Sequence, residues 1–496
     1  MIDDRAIAVA ARDAVRHLDD ERVLRANPLF DRDAERPHDA LRAVVLRALE
    51  ALRIVQVEHH EIVVRCDVRR EPHKQVVDAL SLSRRQFYRE RQRALVRLAD
   101  AIQHERERTP EAVVTPLPDA RETAMAFIDM QRGCGEHEAV WREAVALAAH
   151  VDDPHFAISL HVVASEAARF LGDHGRAAER LRCAARLLAD LPDGSRRLVP
   201  TLWVAVGEIA LHGAQARFEE ARAQFARAAV ACADERTLHG PEATLFEILI
   251  SHVVPIDAAC GDWSSARALL SRAEALMTRS AEAELGRAVR LRLSGRIALQ
   301  GEGDVLRARA EQRAALDTAQ RARHLRQAGN AAANLGIALG EEDLGEAVRH
   351  IEFGLDVVRR FSDDECATLL AESLPILLRA GAMQQVRERL DDLRARRRLS
   401  PRSAPLLDLS EALVLMGADD ARGALERAND ARLRLSAQGQ LPWACDALLL
   451  EVESWLALRQ PVRARRLLRE LREIAQVAGR VETRRRVEAF GTFLAP

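Results

Sequence analysis

The sequence predicts an all-α chain: a small N-terminal domain followed by an α-solenoid of about nine helical hairpins. Three observations lead there. Aromatic residues are 4% of the 496 and tyrosine occurs once, so Ala and Leu at helical spacing must fill the core, which suits closely packed helices rather than sheets. From about residue 121 onward, helix-length runs close in a Gly or polar turn and restart in an Ala/Leu-rich run. These turns recur roughly every forty residues, as stacked hairpins do, because one hairpin cannot bury its own apolar face.

The turns fall near Gly133 to Gly135, Gly172, Gly213, Gly261, Gly301, Gly340, Gly381, Gly417 and Gln460. Leu171-Gly172-Asp173 followed by Ala177, Gly261-Asp262-Trp263 followed by Ala266, and Gly340 followed by Ala347 resemble the glycine and alanine landmarks of tetratricopeptide repeats. That family's tyrosine is absent throughout. The resemblance spans most of residues 121 to 485 and implies a concave surface that holds a protein, a peptide or a small effector.

The chain divides at Thr109 to Ala120, where Pro110, Pro116 and Pro118 interrupt any helix. We therefore expect a DNA-binding domain at 1–108, a proline-rich linker at 109–120 and the repeat solenoid at 121–496. Charged residues are 30% and the net charge is -2, so nucleic-acid contact has to be local rather than driven by a global field. The seven cysteines are scattered and form no CxxC, which reads as small buried side chains in a reducing compartment. The N-terminus lacks the pattern of a signal peptide, and no apolar stretch reads as long enough to span a membrane. A cytoplasmic protein without a membrane partner is the expectation.

The sharpest local pattern is Lys74 to Leu98, KQVVDALSLSRRQFYRERQRALVRL. Lys74 to Leu80 reads as a short helix with Val76, Val77 and Leu80 inward, Ser81-Leu82-Ser83 as a tight turn, and Ser83 as the cap of a helix from Arg84. On that helix Phe87, Ala94, Leu95 and Leu98 share one arc. Arg85, Arg89, Gln92 and Arg93 take the opposite arc, with Gln86 and Arg97 at its edge. Arg84 to Arg97 holds six arginines against one acid, Glu90. A major-groove helix needs this arrangement: a buried stripe to set its depth, arginines for phosphate and guanine, and glutamine for adenine.

Elements and spacing resemble the helix-turn-helix of sigma-factor region 4 and of related response-regulator output domains. The likeness spans about residues 38 to 102, with supporting helices around Asp3 to Leu24 and in AVVLRALEALRIVQ. It departs from the family at Ser81, where glycine is usual, and at Val77, where alanine is usual. It implies DNA contacts from Ser83, Arg84, Arg85, Gln86, Tyr88 and Arg89, to which the arc adds Gln92, Arg93 and Arg97. No second sigma-factor region is visible.

Lys74 is the only lysine and no GxxxxGKS loop occurs, so a phosphate-binding loop is missing. His59-His60 lacks a metal-site partner spacing. His150, Asp152, Asp153 and His155 fall where turn and capping residues are expected. GEGD at Gly301 follows no strand and reads as a turn. We expect no catalytic residue, no cofactor and no metal. The function read from the sequence is a DNA-binding transcription regulator, not an enzyme, dimeric because one helix-turn-helix buries little surface. The alternative is a protein-interaction scaffold whose N-terminal domain is a docking cap.

Overall fold

The computed structural model describes residues 4–18, 20–33, 38–55, 57–68, 71–80, 83–107, 125, 128–129, 131–192, 197–232, 235–276, 279, 283–340, 342–396 and 398–493. The described residues are helical with no sheet, and the chain falls into two compact units, 1–130 and 131–496. The expected linker at 109–120 and the turn residues Ser81 and Leu82 lie outside the described residues.

The first unit contains α1 (Asp4–Arg16), α2 (Glu21–Arg25), α3 (His38–Val55), α4 (Val57–Val63), α5 (His73–Ala79) and α6 (Arg84–Glu107). Ala11, Leu41, Val45, Leu49, Leu98 and Ile102 form the core where α1 and α3 meet α6. A one-turn π-helix, Val64–Val68, follows α4 and carries Asp67, whose side chain is fully buried. Its Oδ1 accepts from Arg16 at 2.9 Å and from Arg91 at 2.6 Å. Two charge-assisted bonds thus tie α1 and α6 to one carboxylate.

The second unit contains α7 (His137–Ala148), α8 (Pro154–Phe170), α9 (His174–Asp190), α10 (Leu198–Ala214), α11 (Phe218–Ala231), α12 (Pro241–Cys260), α13 (Trp263–Leu276), α14 (Ala283–Ile297) and α15 (Val305–Arg321). It continues with α16 (Leu325–Leu339), α17 (Leu344–Val358), α18 (Asp363–Arg379), α19 (Met383–Arg396), α20 (Ala404–Gly417), α21 (Ala421–Ala437), α22 (Leu441–Ala457), α23 (Pro461–Ala478) and α24 (Val481–Phe493). Even-numbered helices α8 to α22 open each hairpin and odd-numbered ones close it. Ala177, Ala221, Ala266, Ala308, Ala347, Ala424 and Ala464 recur in the first turn of the closing helices and are fully buried. A larger side chain there would separate the two helices next to their turn.

One short device makes most turns. At Gly172 (φ 79°), Gly261 (φ 81°) and Asp419 (φ 63°) the chain enters the left-handed region. The next amide then donates back across the helix end: Asp173 to Ala168, Asp262 to Asp257 and Asp420 to Leu415, each at 2.9 Å. The same aspartates cap the following helix, accepting from Arg176, Ser265 and Gly423. Turns fall beside Gly213, Gly340 and Gly417 as read, but these glycines are not the left-handed residues. Gly213 and Gly417 lie inside helices and Gly340 is right-handed. The left-handed positions belong to Ala216 (φ 56°) and Asp419. Gly340 serves close packing instead, since a Cβ there would meet Ile376 at 2.5 Å.

The reading of membrane-length stretches is also corrected. One described helix, α12, is long and apolar enough to cross a membrane. Its Leu245, Phe246, Leu249, Ile250, Val253 and Val254 are spent on the solenoid core.

The solenoid winds tightly enough to touch itself. His137 Nε2 donates to the carbonyl of Phe361 at 2.6 Å, across 224 residues of sequence. Arg402 donates to the Pro255 carbonyl at 3.2 Å, and Arg484 to that of Gly301 at 3.2 Å. A Cβ on Gly172 would meet the Arg398 backbone at 2.9 Å, and one on Gly261 the Cα of Ala478 at 2.7 Å. Gly381 (φ 77°) is equally left-handed, but a Cβ there has open space. Gly381→Ala should therefore cost about 1 kcal/mol of backbone strain, whereas Gly261→Ala should cost about 2–4 kcal/mol because it also pushes two turns of the superhelix apart. Urea unfolding of both variants measures the difference.

Candidate functional site

Two regions bring charged side chains together. The first is α6. Ser83 caps it, accepting from the Gln86 backbone amide at 3.2 Å, while its hydroxyl donates to the Gln86 carboxamide oxygen at 3.4 Å. Phe87 is fully buried against Ile62, Cys66 and Val76, with Val77 and Leu80 packed alongside, so α5 seats the start of α6. Ala94, Leu95 and Leu98 continue the stripe into the main core.

All nine residues expected to contact DNA, namely Ser83, Arg84, Arg85, Gln86, Tyr88, Arg89, Gln92, Arg93 and Arg97, are exposed along α6. Tyr88 is 47% exposed and sits edge-on to the His73 and Phe87 rings. The arginines are not equivalent. Arg89 and Arg93 pair with Glu90 at 3.3 and 3.0 Å, and His59 holds the same carboxylate at 3.2 Å. The His59 hydrogen bond, followed by Arg93 and Arg89, holds the Glu90 carboxyl below its ordinary value. Arg84, Arg85 and Arg97 make no ion pair among the described residues. Arg91 belongs to the interior, on Asp67. Beside α5 a recess of about 440 Å³ is lined by Arg16, His17, Cys66, Glu71, Pro72 and His73. Burial pushes the Cys66 thiol up to about 11, so it is no thiolate nucleophile.

The second region is the lumen of the solenoid, lined by the even-numbered helices. Phe170 of α8 stacks on His137, ring centroids 4.6 Å apart, and carries two guanidiniums, Arg169 at 4.2 Å and Arg326 of α16 at 4.7 Å. Arg326 pairs with Glu365 of α18, and Asn330 donates to the same carboxylate at 2.9 Å. Arg132 pairs with Glu166 at 2.7 Å, and Arg296 of α14 with Glu372 of α18. Burial alone would raise Glu166 and Glu365. The neighbouring arginines reverse this and hold both carboxyls down to about 2.

The sequence singles out none of these lumen residues. They come from hairpins far apart in the chain, and only the winding brings them together. Elsewhere, Asp153 caps α8 by accepting from His155 at 2.9 Å, and no cluster of His, Cys, Asp or Glu able to hold a metal occurs among the described residues. Asp304 of the GEGD segment caps α15.

The lumen makes stability depend on pH in a definite direction. Burial pushes His137 and His252 down to about 4. These histidines, like Glu166 and Glu365, bind protons less readily folded than unfolded, so stability falls as pH is lowered. The histidines contribute between about 6.5 and 4, and the carboxylates between about 4.5 and 2. Urea unfolding across this range should show both windows. Glu365→Gln should cost about 2 kcal/mol at pH 7 by leaving Arg326 without its partner, and should shrink only the lower window.

No family model and no curated protein matches the chain. Among solved structures, the chain is similar to a Rap protein complexed with competence and sporulation factor, at 13% identity and a TM-score of 0.52. The match covers 72% of this chain and 98% of that one. The shared property is the fold, an all-helical repeat solenoid.

Proposed function

We propose that the protein is a DNA-binding transcription regulator in which α5, the turn and α6 form a helix-turn-helix of the sigma-factor region 4 and response-regulator type. In this reading residues 1–108 bind duplex DNA, and the solenoid senses a partner or effector. The observation that carries it is α6 itself: a capped helix with Phe87 seated on α5 and an outward face of arginine and glutamine. Arg84 and Arg85, exposed in the first turn and in no ion pair among the described residues, suit phosphate or guanine, and Gln86 and Gln92 suit adenine. The solenoid supports the sensing role, since the Rap protein was solved in complex with a factor. Two copies on a palindromic site would supply the surface that one module lacks.

Affinity for duplex DNA should fall steeply with salt as counterions are released. Arg84→Ala and Arg85→Ala should each reduce the slope of log K against log salt by about 1. Arg89→Ala and Arg93→Ala should do less, because Glu90 already neutralises part of their charge. A DNA titration at several salt concentrations measures all four. Flat salt dependence would favour a scaffold with a docking cap.

A further inference from the structure

The lumen carries more positive charge than its own carboxylates neutralise. Glu166, Glu365 and Glu372 take Arg132, Arg326 and Arg296. Three more guanidiniums of this region have no ion pair among the described residues. Arg169 rests on the Phe170 ring and its Nε has no hydrogen-bond partner. Arg292 donates only to the neutral Gln327 carboxamide, at 3.0 Å. Arg402 donates to the Pro255 carbonyl.

All three remain partly accessible. Burial pushes each below the usual arginine value, Arg292 to about 10; neighbouring guanidiniums push the same way, and the carboxylates of Glu166, Asp364, Glu365 and Glu372 pull back without reversing the shift. Arg326 acts on Arg169 and Arg292, and Arg169 acts on Arg402, so they share one field. Desolvated like charges that nearby carboxylates match only in part are unfavourable, and a bound anion relieves them. Arginine's planar fork matches oxyanions in particular.

We propose that the lumen is an oxyanion site in which a carboxylate or phosphate of the ligand lies among Arg169, Arg292 and Arg402. This rests on the reading of the solenoid as an effector-binding domain. It adds the chemistry of the effector: an acidic peptide, or a small organic acid or phosphate.

The test is thermal shift and calorimetry on the full chain with citrate, with inorganic pyrophosphate, and with a library of short peptides in free-acid and C-terminally amidated forms. At least one anionic probe should bind, and Arg292→Gln or Arg169→Gln should each weaken it about tenfold or more. Arg469→Gln, on an exposed helix face, should leave it unchanged. Both lumen variants should match or exceed the unliganded stability of the parent at low salt, which distinguishes lost binding from misfolding. Citrate or pyrophosphate binding without the peptides would identify the source as a small anion. Neutral amidated peptides bound as well as free acids, with no response to Arg292→Gln, would overturn the oxyanion site and keep the effector domain. No binding by any probe would overturn the oxyanion site.

Discussion

Contact between successive turns of the superhelix is the constraint on which the second unit depends. Hairpins of this kind can stack in an open arc, with each unit touching only its neighbours. Here His137 reaches the Phe361 carbonyl, Arg402 that of Pro255 and Arg484 that of Gly301. Gly172 and Gly261 permit the approach because their left-handed backbone and missing Cβ bring one turn onto another. The winding then carries Arg326 over the ring of Phe170, although the two residues stand on α16 and α8.

A narrow lumen changes what its polar groups can do. Water solvates them less, so each must find a partner or wait for one. Arg326 and Glu365 found each other, with Asn330 fixing the carboxylate. Arg169 and Arg292 feel Glu166 and Glu365 but form no ion pair among the described residues, and this imbalance gives the interior its electrostatic direction. On α6 the same residue type behaves differently. Arg91 is spent on buried Asp67, Arg89 and Arg93 are tempered by Glu90, and Arg84 and Arg85 face solvent with no ion pair among the described residues. Arginine is nearly the whole basic complement of this chain, so context and not count separates a structural guanidinium from one available to a ligand.

Helical periodicity makes the fold legible in the sequence, because each hairpin repeats the same local problem. The alanine four residues past the cap, as at Ala177, Ala266 and Ala347, is read directly and is buried as expected. Gly340 stands at its turn without being left-handed, because a glycine used for close packing looks, in one dimension, like a glycine that sets a turn. On α6 the cap at Ser83 and the buried stripe from Phe87 to Leu98 follow from spacing alone. Arg91 shows the limit: its partner Asp67 lies on another element, and nothing local announces the pairing. The lumen is the extreme case, since Arg169, Arg292 and Arg402 gain their shared environment only from the closed winding.

The winding is tested most directly by the distance between spin labels attached through non-natural residues at Arg176 and Arg398. Both side chains are exposed, and Arg176 lies one helical turn beyond Gly172, which abuts the Arg398 backbone. Electron–electron dipolar spectroscopy should give one narrow distance, as for labels on touching turns. A long or broad distribution would mean that the solenoid is open and that the lumen, with the charges gathered in it, does not form.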